Sequence, residues 1–535
     1  MATAIDLIRE GRKTQVWTKY CGFLDLSIEE FMHIQERLLL EQLEILHDSK
    51  IGIERIGALR PASLAEFRKT VPISAYEDYE QYFEQQIDDV LPEKAFSWGH
   101  TSGRSGKFKW IPYTKLAYEK MGERVLAGII LAAAREKGDM RLQEGDSLVH
   151  NTPPRPYISG IVLRSLAEQF DFNFIPPLSA TEGMEFQERI ETGFEYGMRH
   201  GIDILGSLSV VLVRMGERFA EGNRSGGFST KMLHPATLFR LLRGYARSRL
   251  ERRQLLPKDL WSIKALPTGG MDTSLYRDKI SYYWGVEPYE QYGSTEEGAI
   301  ATQAWNKEGM TFFPDAALLE FIPEEEWIRT REDPNYQPGT VLLSEVEANK
   351  KYEIIITSFH GKPLVRYRMH DIVEFTKTKD KEVGIFLPQM QFIGRAADFI
   401  DLAGFTGLID EKMVWRAMIE TGIEYEDWSI RKESEGSDPI LHVFFEPKEM
   451  VSSDLVKEVF HDRLAALNPF YADYAQMIGK DAIKVTILQP GSFMGYMREM
   501  NSRGQDLAHI KPPHMNASDE ILNTLLKHSV SASTR

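Results

Sequence analysis

Hydrophobic and polar positions divide the chain into stretches of different texture. Near the start, Phe31, Ile34, Leu38 and Ile45 recur at helical spacing behind Ser27-Ile28-Glu29-Glu30. A hydroxyl residue three places ahead of a glutamate has the form of a capping box, so this stretch predicts a packing helix without chemistry, with Gly52 soon after its end. From about Phe96 to Phe375, short apolar runs alternate with glycine-containing turns and amphipathic stretches. Residues 263–266 predict a strand, 267–270 a turn, 274–284 a helix closed by Gly285, and 286–289 the next strand. Residues 353–357 and 372–375 add strands. The strand–helix–strand rhythm predicts an α/β domain with mostly parallel sheets. Residues 125–134, the most apolar run, fall short of the roughly 20 residues that cross a bilayer and predict a buried helix.

Beyond Arg395 the texture changes. Residues 439–445 and 483–488 predict strands, and 453–467 a helix stopped before Asn468-Pro469, which together suit a compact α+β unit. Gly394 and Gly404 bracket the join. The expected organisation is a large N-terminal ATP- and acyl-binding domain over 1–396, a small mobile C-terminal domain over 397–520, and a flexible tail over 521–535 whose Ser/Thr-rich end frays.

Bulk properties narrow the function class. The 535 residues are 42% hydrophobic and 27% charged, which suits a globular chain of two or more domains and excludes disorder and collagen-like classes. The formal charge of −15 argues against a broad nucleic-acid footprint. The one cysteine, Cys21, cannot build a disulfide framework or a cysteine zinc site, so it reads as a small buried side chain in a reducing compartment. The first thirteen residues carry Asp6, Arg9, Glu10, Arg12 and Lys13, unlike a signal peptide. The expectation is a cytoplasmic protein without nucleic-acid or membrane partners.

Five motifs carry candidate chemistry. Thr101-Ser102-Gly103-Arg104-Ser105-Gly106-Lys107 offers small residues, hydroxyls and a lysine to a triphosphate. It is not a Walker A loop, because Thr101 and Phe108 stand where that motif needs glycine and Ser/Thr. Tyr292-Gly293-Ser294-Thr295-Glu296-Glu297-Gly298 follows a predicted strand, where α/β ligand sites gather; its aromatic can stack on a base and its carboxylate can hold Mg²⁺. Val365-Arg366-Tyr367-Arg368-Met369-His370-Asp371 ends in a carboxylate suited to ribose hydroxyls. Gly394-Arg395 marks the join, and Ile510-Lys511-Pro512-Pro513 puts a lysine on a stiffened loop. Each has an ordinary alternative: a surface turn, a polar loop, a salt-bridge cluster or a solvated lysine. Their order along the chain is the stronger signal.

That ordered set resembles the adenylate-forming superfamily of acyl ligases. Within it the chain most resembles the acyl-acid amido synthetases, the auxin- and jasmonate-conjugating Gretchen Hagen family. Val71-Pro72-Ile73-Ser74-Ala75-Tyr76-Glu77-Asp78-Tyr79, Ile111-Pro112, Gly269-Gly270 and Lys511-Pro512-Pro513 are typical of it, over about residues 65–515. The resemblance implies that Thr101, Ser102, Gly103, Ser105 and Lys107 surround the ATP phosphates, with Gly269 and Gly270 also at the nucleotide. It implies that Tyr292, Gly293, Ser294 and Thr295 line the adenine and acyl-carboxylate region, with Glu296 on Mg²⁺. Asp371 would bind the ribose, Arg395 would sit nearby, and Lys511 would steady the reacting carboxylate and α-phosphate. Arg104 and His370 depart from the family's usual threonine and glycine.

The implied reaction is ATP-dependent activation of a carboxylic acid as acyl-AMP, then transfer to an amine such as an amino acid. Lysine, Mg²⁺ and backbone donors neutralise and align two anions without a nucleophilic side chain. One alternative is an acyl-CoA ligase of the phenylacetate type, although no basic run is evident for the 3′-phosphate of coenzyme A. Another is a non-catalytic acyl- or nucleotide-sensing protein, which the presence of Lys511 and Glu296 disfavours. Residues 200–213, apolar with glycines, could wall an acyl site, but core packing is the simpler reading.

Overall fold

In a computed structural model, residues 4–57, 60–100, 109–220, 234–269, 273–333, 336–400, 402, 408–435, 438–478, 482–507, 510–511 and 514–532 are described. They form two compact units: Met1–Met369 with Val373–Phe392, and His370–Ile372 with Ile393–Arg535.

The first unit is built on a twelve-stranded mixed sheet. Its parallel part runs, in spatial order, Asn173–Ile175, Ser147–His150, Ile204–Leu208, Pro267–Gly269 and Tyr289–Ser294. At Tyr289–Ser294 the direction changes, and the next pairs, to Gly298–Gln303 and Met310–Phe312, are antiparallel. The reason lies in the connections: helices join the parallel strands, whereas a turn over 295–297 can join only an antiparallel pair. The strand foreseen at 263–266 lies instead at Pro267–Gly269. Ile263 and Leu266 are buried as their apolarity demands and Ala265 bridges Ile204, yet the continuous ladder to that strand is made by Ser207 with Thr268 and Leu208 with Gly269. Pro267 has no N–H and is tolerated as a first strand residue, so pairing overrides the turn signal.

The N-terminal helix, Ile28–Leu46, starts at the foreseen capping box, with Glu30 N–H donating to Ser27 Oγ and Ser27 N–H to the Glu30 carboxylate. Its buried face is rotated from the expected one: Phe31, Gln35, Leu39, Gln42, Leu43 and Leu46 face inward, while Ile45 is exposed. Two glutamines go inside because backbone groups there need partners. Gln35 donates to Ala317 O at 2.5 Å and accepts from Leu319 N, and Gln42 donates to Lys362 O at 2.7 Å and accepts from Gly361 N. The apolar run 125–134 lies in the helix Lys115–Ala133, buried from Val125 to its end, and Cys21 is buried as foreseen. Among the described residues, no helix is long and apolar enough to cross a membrane.

The second unit holds a three-stranded sheet. Tyr425–Glu435 and Asp438–Pro447 pair antiparallel, and Ile483–Ile487 joins parallel to the latter. The helix Ser453–Leu467 occupies its foreseen span, with Ser452 Oγ capping Leu455 N. The C-terminal tail departs from expectation. Asp519–Ala532 is a helix, and Leu522 and Leu525 are buried with Phe493, Tyr496 and Met500, an apolar spacing that outweighs the serines as a determinant.

Candidate active site

The turn 295–297, between Tyr289–Ser294 and Gly298–Gln303, is held from beneath by buried donors. The Tyr113 hydroxyl donates to Thr295 O, and Lys362 Nζ donates to Glu296 O. Arg124 donates to Glu297 O at 3.1 Å and Ala299 O at 2.8 Å. Within the turn, Ser294 Oγ accepts from the N–H groups of Glu296 and Glu297. Two glycines are required here by close approach. A Cβ on Gly293 would stand 2.7 Å from Gly298 O, and Gly298 has φ +67° with Met121 packed against it.

The two adjacent glutamates have different fates. Glu297 is buried, ion-paired with Lys362 at 3.1 Å and accepting from Ser358 Oγ. Burial pulls Lys362 below its ordinary value, and Glu297 pulls it back up only in part. Glu296 is half-buried, and the Tyr367 hydroxyl donates to it at 3.4 Å. Burial, with Glu296 adding to it, holds the Tyr367 hydroxyl protonated well above its usual range, and burial does the same for Tyr113. Glu296 is therefore the carboxylate available to a ligand. Mg²⁺ typically takes one or two protein carboxylates plus substrate phosphates, and this single carboxylate fits that demand. Among the described residues, no three acidic, histidine or cysteine side chains form a protein-only metal cage.

The neighbouring foreseen residues are placed as follows. Tyr292 is buried and stacks on Phe392, ring centroids 5.6 Å apart. Gly269 ends a strand beside Tyr289–Ser294; its backbone is exposed, and Ser209 Oγ donates to its carbonyl. Thr101, Ser102, Gly103, Ser105, Lys107 and Gly270 lie outside the described residues. Their flanks are described: His100 pairs with Trp110 in the antiparallel ribbon of Ser97–His100 and Trp110–Tyr113.

The Val71–Tyr79 stretch fastens the motif that precedes Asp371. Ser74 bridges to Tyr367, its N–H donating to Arg366 O and its carbonyl accepting from Arg368 N, both at 2.9 Å. Tyr79, fully buried, accepts from Val365 N at 3.0 Å. Arg366 makes a two-pronged pair with Glu320 and also donates to Val71 O, and Arg368 makes one with Glu353. The two arginines thus serve as buried or half-buried scaffold, as the salt-bridge alternative foresaw, although away from the surface. His370, where the family's usual residue is glycine, takes φ +59°, the left-handed backbone that glycine would supply without strain.

In the second unit, Asp371 is buried and Arg395 Nε lies 3.6 Å from its Oδ1. The foreseen ribose carboxylate and its arginine are therefore neighbours. Lys511 is exposed, and Pro512 and Pro513 lie outside the described residues. Just beyond stands a cluster that the sequence did not reveal. His514 is buried, with Glu411 at 2.6 Å on Nδ1 and Asp427 at 2.7 Å on Nε2, and its ring stacks on Trp428 at 4.5 Å. Burial pulls its pKa down, but the two carboxylates outweigh that and hold it at about 10. His514 O accepts from Ile430 N, and Asn516 N donates to Ile430 O, so this stretch is tied to the edge of the small sheet. Glu411, Asp427 and His514 are distant in sequence, and no local pattern links them.

Residues 200–213 contribute Leu205, Ser207 and Val211 to a cavity shared with Trp261 and the buried His150, whose burial pulls it down to about 4. At about 30 Å³ this space suits one water rather than an acyl group, which favours core packing for the segment.

Comparisons with known proteins agree with this geometry. The GH3 family N-terminal domain matches residues 22–170, and the GH3 family central domain matches 310–395. The jasmonoyl–L-amino acid synthetase GH3.5 of Oryza sativa subsp. japonica is 27% identical over 51% of this chain and 48% of its own length. The indole-3-acetic acid-amido synthetase GH3.4 of Arabidopsis thaliana is 26% identical over 42% of this chain and 38% of its own. The chain thus spans about half the length, or less, of these curated relatives. The solved structure of the acyl acid amido synthetase AtGH3.15 in complex with 2,4-DB has a TM-score of 0.70 at 18% identity, covering 96% of both chains. A 2-hydroxyisobutyryl-CoA ligase has a TM-score of 0.55 at 14% identity, over 98% of this chain and 92% of its own. These likenesses show that the chain shares the fold of the amido synthetase and CoA ligase structures, and that its residues 22–170 and 310–395 resemble the GH3 N-terminal and central domains.

Proposed function

We propose that this protein is an ATP-dependent acyl-acid amido synthetase. It joins a carboxylic acid to ATP as acyl-AMP, releasing pyrophosphate, and passes the acyl group to an amine such as an amino acid. The observation that carries the reading is the turn 295–297, whose carbonyls are fixed by Tyr113, Lys362 and Arg124 while Glu296 stays accessible. A rigid turn can present Thr295 and Glu296 to reacting groups without reorganisation at the moment of reaction. In this reading Glu296 binds Mg²⁺, which would neutralise phosphate charge. Residues 101–107 and 269–270 hold the phosphates, Tyr292 and Ser294 border the adenine, Asp371 takes the ribose with Arg395 beside it, and Lys511 supplies positive charge to the carboxylate and α-phosphate.

The names of the curated relatives and the coverage of the amido-synthetase structure support an amine as acceptor. The test is exchange of labelled pyrophosphate into ATP over a panel of carboxylic acids, followed by mass analysis with amino acids or coenzyme A. Exchange with an amide product is expected. A broad panel without exchange refutes adenylation, and a coenzyme A thioester without any amide moves the protein to the CoA-ligase class. Asp371→Asn should raise the ATP concentration needed for half-maximal exchange about tenfold, the usual scale for one lost charged hydrogen bond.

A further inference from the structure

The helix Pro235–Leu250 has an inverted amphipathic pattern. Its buried residues are small or polar, Thr237, Gly244 and Ser248, and a Cβ on Gly244 would stand 2.9 Å from Leu255 and Leu260. The helix therefore lies close on the body of the first unit through its small side, which leaves its large side outward. Phe239 is 69% exposed, Leu242 70% and Leu250 86%, with Leu238 and Tyr245 also exposed. Five of the sixteen exposed large hydrophobics among the described residues sit on this one helix, so they are a patch and not scatter.

Charge completes the pattern. Residues 235–253 hold six arginines against one carboxylate, in a chain whose formal charge is −15. Arg240 and Arg253 are committed inward: Arg240 donates to Met198 O and Leu260 O, and Arg253 pairs with Asp259. Arg243, Arg249 and Arg252 are exposed and make no ion pair with any described residue. At 100° per residue, Tyr245, Leu238, Leu242, Phe239 and Leu250 fall on one outward stripe; Arg249 lies within it, Arg243 flanks it, and Arg252 follows just past the helix end.

We infer that this helix docks the protein on an anionic lipid surface, lying flat with Phe239, Leu242 and Leu250 among the acyl-chain boundary and its arginines on the headgroups. Apolar side chains outward with arginines at the margins is the arrangement by which interfacial helices bind, the long basic side chains reaching up to phosphate while the stripe enters. Each arginine near such a surface adds attraction that anionic lipid supplies and neutral lipid does not. A second copy of the chain is a poor occupant, since two-fold pairing through this face would set its arginines against the same arginines. Nothing here crosses a bilayer; the contact is peripheral.

The test is co-sedimentation of the full-length protein with vesicles of phosphatidylcholine alone or doped with phosphatidylglycerol, at low and physiological ionic strength. Binding is expected only to the doped vesicles and should weaken with salt. Phe239→Ser with Leu242→Ser should lower partitioning about tenfold or more, and Arg243→Gln with Arg249→Gln should do the same, each arginine contributing on the order of fivefold. Both doubles should keep the wild-type melting temperature and the wild-type pyrophosphate exchange. Equal pelleting with neutral and anionic vesicles, or full binding by the Phe239/Leu242 double, overturns the proposal. So does no pelleting at low salt, or self-association that the Phe239/Leu242 double abolishes, which would assign the face to a second copy.

Discussion

Two buried ionic clusters stand behind two candidate catalytic side chains, and they are built on opposite principles. Behind Glu296, Lys362 faces the carboxylate of Glu297 and Arg124 lies 3.8 Å from that of Asp315, and both spend other donors on backbone carbonyls of the turn and its following strand. Behind Lys511, one imidazole faces two carboxylates, Glu411 and Asp427. The first cluster fixes a backbone shape through cations that donate to its carbonyls. The second fixes the chain just after Lys511 with a group that can lose its proton. A turn that must present the same geometry to every substrate suits the first device. A lysine on a loop suits the second only while the imidazole stays charged.

The largest expected effect comes from breaking the first cluster. Lys362→Met leaves Glu297 buried without its cation and should cost about 3–5 kcal/mol of stability, read from denaturant unfolding. A loss under about 1 kcal/mol would mean that the Glu297 carboxylate is solvated, and the rigid-turn argument would fail. Next, Glu296→Gln keeps the turn and removes the accessible charge. Pyrophosphate exchange should fall about 10²-fold with an unchanged melting temperature. Near-normal exchange would show that Glu296 is scaffold like its neighbour.

Breaking the second cluster should cost less. In His514→Gln, the amide can still donate to one carboxylate, so about 2 kcal/mol is the expected loss. This variant also sharpens the comparison through pH. His514 is held at about 10, above its ordinary 6.5, so its stabilisation is complete below pH 6.5 and is lost as pH rises toward 10. Wild-type stability should therefore decline between pH 7 and 10 by more than that of His514→Gln. Parallel pH curves for the two proteins would remove the imidazolium from the account. The smallest effect concerns backbone alone: His370→Gly relieves φ +59° and should raise stability by at most about 1 kcal/mol.

How much of this was legible in advance depended on distance along the chain. The helix start behind Ser27 and the stop at Gly285 were readable because capping and αL termination act within one turn. The strand at Pro267–Gly269 was misplaced because its identity comes from ladders to residues 207–208 and 289–290. The inward face of Ile28–Leu46 was misjudged because Gln35 and Gln42 answer backbone groups some 280 and 320 residues away. The exposed helix Pro235–Leu250 escaped notice because a search for membrane-spanning length does not detect an apolar stripe ringed by arginines.

By itself the sequence determined the α/β class, the order of the motifs and the residue types available at each. Those follow from local periodicity, glycine and proline, whose effects are short-ranged. Only the tertiary structure decided that Glu297 is buried scaffold and Glu296 accessible, since the two are adjacent and identical as residues and differ only in what packs against them. It also brought Lys362 beneath the turn and set His514 between Glu411 and Asp427. Partners so far apart in sequence meet only when the fold closes, and the low dielectric around them then gives each charge its consequence.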